Sequence, residues 1–149
     1  MERDMIESFL AEKKLALVGA SSKSGKFGNA VLKELSSLGY EIYVVHPHAQ
    51  SIQGHSCYGS LEALPDDIGG MINVVPPDQT ETLVQEAYAK GINKIWMQQG
   101  SESEPAVKYC LDHSIKVIHG ECILMFAEPK GLHKFHHWLW GVLGKLPQA

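Results

Sequence analysis

Cysteine is scarce in this chain. Its three residues, Cys57, Cys110 and Cys122, are widely spaced and form no CxxC pair. That pattern excludes a disulfide framework and reads as reduced thiols in a cytoplasmic protein. No apolar run approaches membrane-spanning length, and the opening MERDMIESF carries charge where a secretory signal has its apolar core. Neither sign of charge dominates. A net charge of −4 over 149 residues gives no support to wholesale nucleic-acid binding, so any anion site must be a local patch. No Ser-His-Asp or Cys-His pair can be picked out, and Glu121 has no evident partner for acid–base work. Repeats, low-complexity tracts and linkers are absent as well. The chain therefore reads as one domain over residues 1–149, of ordinary globular composition at 44% hydrophobic and 20% charged residues.

The apolar pattern alternates between two periods. Residues 2 to about 11 predict a short helix with Met5, Ile6, Phe9 and Leu10 on one face. Leu15 to Val18 is dense enough for a strand buried on both faces. A second strand is expected over Glu41–Val45, a third over Met71–Val75, a fourth over Lys94–Met97 and a fifth over Lys116–Ile118. Helices are expected from Gly28 to Leu38, from an Asp78 cap to Lys90, from Glu104 to about His113, and from Leu132 to Leu143. The stretch His46–Gly59 reads as loop, and Ser60–Pro65 as one helical turn. Strand and helix in alternation predict an α/β fold: a doubly wound, Rossmann-like parallel sheet with helices on both faces. In such a sheet the ligand lies outside the carboxyl ends of the strands. The loops there are Gly19–Gly28, His46–Gly54, Val75–Asp78, Gln98–Ser103 and His119–Cys122, and they should converge on one crevice.

The first of these loops, Gly19-Ala20-Ser21-Ser22-Lys23-Ser24-Gly25-Lys26-Phe27-Gly28, is small and polar with two cations. Strand, small-residue loop and helix together aim backbone N–H groups at an anion. Neither of two common phosphate motifs fits. Phe27 stands where a Walker loop has its hydroxyl, and Ser21 occupies the second glycine position of G-x-G-x-x-G. Only Gly25 and Gly28 keep the terminal spacing, and the second strand ends in His46-Pro47 without the acid that holds an NAD ribose. The bland alternative is a glycine-rich turn that only links strand to helix.

The ordered stretches VGASSKSGKFGNAVLKELSSLGYEIYVVHP, YGSLEALP, VVPP, KIWMQQGSES and VIHGECILMF, with the closing GLHKFHHWLWGVLGKLP, resemble the small stand-alone CoA-binding proteins. Their fold is that of the CoA-binding domain of the succinyl-CoA synthetase alpha subunit. The resemblance implies coenzyme A as ligand, with its phosphates in the Gly19–Gly28 loop, His46, Pro47 and Gln50 on the nucleotide side, and Val75-Pro76-Pro77 flanking the adenine. His46 stands where many members have Asn, and Gly69-Gly70 where an Asp is common. In the ligase the phosphohistidine belongs to a second domain, and this chain ends before any equivalent. The implied function is a non-catalytic module that binds CoA or an acyl-CoA.

Other features admit two readings each. Gln98 and Gly100, with Gln99, could meet pantetheine amides or merely cap a turn. Cys122 could meet a CoA thiol, or be a small buried apolar residue. His133 and His137 share a helical face, but Lys134 stands where a zinc peptidase has its glutamate and no third ligand is evident, so no metal is assigned. With Trp138 and Trp140 that helix could line a homodimer or another protein contact. Two alternative functions stay open: an NAD(P)-dependent oxidoreductase on a degenerate loop, and an interaction module with a vestigial pocket.

Overall fold

Leu15, Ala16, Leu17 and Val18 are all buried and alternate between two apolar clusters on opposite faces of one sheet. A strand covered on both sides requires this, and it makes β1 (Lys14–Val18) the centre of the molecule. The computed structural model describes residues 2–23 and 26–127. On one side β1 pairs with β2 (Glu41–Val45), beyond which lie β4 (His55–Tyr58) and β3 (Ser51–Ile52). On the other side it pairs with β5 (Gly70–Asn73), then β6 (Lys94–Gln98) and β7 (Lys116–Glu121). All pairings are parallel except the β3–β4 hairpin.

Helices cover both faces. α1 (Glu2–Leu10), α2 (Phe27–Ser37) and the short α5 (Leu124–Ala127) pack over Leu15, Leu17 and Trp96. α3 (Pro77–Lys90) and α4 (Glu104–Asp112) pack over Ala16, Val18 and Met97. The expected α/β, Rossmann-like architecture is thus the observed one. The expected helix over Leu132–Leu143 lies outside the described residues.

Two local expectations are corrected. The stretch after β2 is not all loop: Gln53 (φ +53°) and Gly54 (φ +81°) are both left-handed and join β3 to β4 as a two-residue hairpin turn. Asp78 does not cap α3; Pro76 holds the cap position and Pro77 follows it, with Asp78 in the first turn. Gly69-Gly70, where the resemblance sets an Asp, serves packing. A Cβ on Gly70 would lie 2.8 Å from the Phe9 ring, which in turn meets Trp96 edge-on at 5.5 Å.

The strand order reverses between β1 and β5. From β1 the chain runs outward through β2 and β4, then returns across the sheet to β5. The two crossovers leave on opposite faces, the arrangement that in open α/β sheets places the ligand site at the carboxyl ends of the strands.

Candidate functional site

The β1–α2 loop is held from both ends by side-chain absence. Gly19 has φ +125°, and a Cβ there would strike the Val74 carbonyl. A Cβ on Gly28 would lie 2.6 Å from the Gly19 carbonyl oxygen. These two glycines therefore seat the start of α2 directly on the loop backbone, which is what close helix–strand packing at a phosphate turn needs. Gly28 does this work against Gly19 rather than by facing the crevice.

A third residue fixes the loop from beneath. Asn29 is buried at 7% exposure; its Oδ1 accepts the Ser21 N–H and its Nδ2 donates to the Ser21 carbonyl, each at 2.8 Å. The Ser21 hydroxyl accepts the Lys23 N–H at 3.0 Å. From the hairpin, Gln53 Nε2 donates to the Asn29 carbonyl at 2.9 Å. Sequence reasoning passed over Asn29. Its signal is a polar residue on the face of α2 that buries Gly28, Val31, Leu32 and Leu35. Lys26 holds the cap position of α2, and its own side chain makes no capping bond. Ala20 is buried, while Ser22, Lys23 and Lys26 are exposed. Ser24 and Gly25 lie outside the described residues.

Opposite the loop start, a cavity of about 170 Å³ is lined by Phe27, Val74, Gln98, Gln99, Gly100, Ser101 and Cys122. It joins three of the five expected loops at the carboxyl ends of β1, β6 and β7, and its volume suits a small end group only. A register shift helps shape it: Met97 pairs with His119 but Gln98 with Glu121, leaving Gly120 (φ +78°) bulged. The Gln98 amide is engaged through its oxygen, Oε1 accepting the Ile123 N–H at 3.0 Å, and the side chain lies by the Cys122 thiol. Gly100 donates its N–H to Glu102 at 2.9 Å. Burial pushes the Cys122 thiol up, against the opposing pull of the Gln98 side chain and of the Leu124 and Met125 amides. Cys122 thus reads as a buried thiol rather than a thiolate.

The β2–β3 turn is organised by His46. Its Nδ1 accepts the N–H groups of His48 at 3.0 Å and Ala49 at 2.9 Å, and its own N–H donates to Tyr58 on β4. Pro47 and Gln50 are exposed, and the Gln50 carbonyl accepts the Cys57 N–H. Val75 is buried, with Pro76 and Pro77 exposed at the start of α3. Asn73, last in β5, is fully buried, and neither its Oδ1 nor its Nδ2 has a partner among the described residues.

A larger cavity, about 400 Å³, lies beside the last turns of α3 and is lined by Ser60, Glu62, Glu86, Ala89 and Lys90. Its one cation is already engaged, Lys90 donating to the Glu62 carbonyl and pairing with Asp66. With two carboxylates on its wall it is a poor place for a polyanion. Among the described residues no helix is long and apolar enough to cross a membrane. The expected His133–His137 pair and the Trp138–Trp140 contact lie outside the described residues.

Reversed strand order and a glycine-seated loop define a Rossmann-like protein with its switch point between β1 and β5. The chain belongs to the CoA binding domain family, which it matches over residues 13–128. It is 33% identical over 106 residues to an ADP-forming acetate–CoA ligase of Methanocaldococcus jannaschii, covering 71% of this chain and 15% of that protein. Across five such archaeal ligase chains it spans 13–21% of their length. A conserved hypothetical protein of Pyrococcus furiosus has the same fold, with TM-score 0.73, 38% identity, and coverage of 76% of this chain and 97% of that one. A hypothetical protein of Pyrococcus horikoshii gives TM-score 0.76 at 28% identity, covering 93% and 92% of the two chains.

Proposed function

We propose that this chain binds coenzyme A or an acyl-CoA as a module without a catalytic constellation of its own. The diphosphate lies against the Gly19–Gly28 loop and the start of α2, with Lys23 and Lys26 supplying charge. The adenine side lies between the His46–Gln50 turn and Val75-Pro76-Pro77. The pantetheine end runs toward the cavity at Gln98 and Gly100. One observation carries the reading: the Asn29 clamp on Ser21, together with the Gly28–Gly19 contact, holds the described arms of this loop, Gly19–Lys23 and Lys26–Gly28, from the buried side. Loop arms held from beneath present their outer faces to a ligand at little ordering cost.

Thermal unfolding tests the ligand class. A ligand that binds only the folded chain raises stability by RT ln(1 + [L]/Kd). CoA should raise the melting temperature clearly more than NAD or ATP at equal concentration. Equal shifts from all three would reduce the site to generic nucleotide binding.

A further inference from the structure

We infer that the cavity beside Gln98 takes a short, uncharged acyl group, so that the chain prefers a small acyl thioester of CoA to CoA itself, with Ser101 recognising the thioester carbonyl. The inference rests on the proposed function for where the pantetheine ends, and it names what that end carries.

The turn after β6 leaves this recognition to side chains. Ser101 donates its N–H to the Gln98 carbonyl at 2.7 Å, closing a tight turn with Gly100 at φ +97°. The Gln99 N–H goes to the Glu121 carbonyl and the Gly100 N–H to the Glu102 carboxylate. The Ser101 carbonyl accepts the fully buried Thr80 hydroxyl at 2.6 Å. Every backbone N–H from Gln99 to Ser101 is thus spent within the protein. Ser101 lines the cavity and is only 5% exposed, yet its hydroxyl has no partner among the described residues. Such a group costs free energy until an acceptor reaches it. Beside it Gln98 is also buried; its Oε1 is spent on the Ile123 N–H, and its Nε2 hydrogens remain donors. Two neutral donors in a mostly buried wall suit one carbonyl oxygen.

The same wall sets what is refused. The cavity's 170 Å³ is about six times a water's share of the liquid, and a methylene is of similar size. A thioester sulfur, its carbonyl and a few more carbons fill it, and an octanoyl chain does not fit. Phe27 and Val74 offer apolar contact, and burial favours the neutral thiol of Cys122. No Lys, Arg or His lines the cavity, so nothing there offsets the terminal carboxylate of a succinyl group.

The test is calorimetric titration of the full chain with CoA, propionyl-CoA, octanoyl-CoA and succinyl-CoA, in wild type and in Ser101→Ala. Propionyl-CoA should bind wild type about tenfold more tightly than CoA, the equivalent of one hydrogen bond and a buried methyl group. Octanoyl-CoA and succinyl-CoA should show no such gain. In Ser101→Ala the ratio of propionyl-CoA to CoA affinity should fall about fivefold, the loss of one hydrogen bond. A merely structural role for Ser101 would weaken all four ligands in step and leave that ratio unmoved, which overturns its assignment. Equal wild-type affinity for CoA and propionyl-CoA, or a gain that extends to octanoyl-CoA or succinyl-CoA, overturns the acyl site and leaves CoA binding standing. If neither CoA nor any ester binds, the proposed function and the inference fall together. The wild-type series decides length and charge even where the variant fails to fold.

Discussion

Asn73 is the residue whose chemistry conflicts most with its surroundings. A buried amide without a partner among the described residues costs its full desolvation, and β5 places it between Val18 and Met97 in register. Asn73→Leu keeps the volume and removes the polar atoms. It should raise stability by about 1–3 kcal/mol, read as a higher urea midpoint at unchanged slope. A lower midpoint would mean that the amide has partners in solution. The thiols allow a second prediction at this scale. Burial pushes Cys110 up to about 12 and raises Cys122 and Cys57 as well. At pH 8 each is held as the unreactive thiol, and reactivity should grow only as pH climbs toward those raised values. Peptide mass analysis after iodoacetamide at pH 8 should find Cys110 unmodified in the folded chain and modified in denaturant. Rapid labelling of folded Cys110 would contradict its burial.

The β1–α2 unit divides into packing and charge. Gly28→Val drives two γ carbons at the Gly19 carbonyl, already 2.6 Å from an added Cβ, so the loop and the helix start separate. CoA binding by the folded variant should be lost even in low salt, with circular dichroism confirming the fold. Asn29→Ala frees the Ser21 peptide, costing about 1–3 kcal/mol in denaturant titration and weakening CoA as the loop disorders. Lys26→Ala leaves the loop intact. It should cost about 1.5–3 kcal/mol of CoA affinity at low ionic strength, and the deficit should shrink in high salt because Lys26 is exposed. A deficit that ignores salt would take Lys26 out of the phosphate contact. The glycines of this unit were legible in the sequence because their spacing follows backbone geometry. Asn29 was not, since a single polar residue on an amphipathic helix gives no periodic signal. The β3–β4 hairpin escaped notice for a related reason: its strands are too short for alternation, and Gln53 is not a residue that announces a left-handed turn.

At the scale of the whole molecule, the α/β class followed from alternation. Runs such as Leu15–Val18 and Ile95–Met97 are apolar at every position, which only a sheet covered on both faces can bury. Those runs, and the right-handed crossovers between them, bring the loops after β1, β6 and β7 to one cavity. Less legible was how much polar chemistry there turns inward: Gln98 and His46, both read as ligand-facing, spend acceptors on backbone amides. Such bonds depend on where the chain turns after each strand, and composition does not encode that. The placement of CoA at the switch point is tested most directly by ¹H–¹⁵N spectra of the labelled chain titrated with CoA. The largest shifts should fall on the amides of Gly19–Lys23 and Lys26–Gly28, with smaller ones at Gln99–Ser101. Shifts confined to Ser60–Glu62 and Glu86–Lys90, with the loop amides unmoved, would place the ligand in the other cavity and contradict the site.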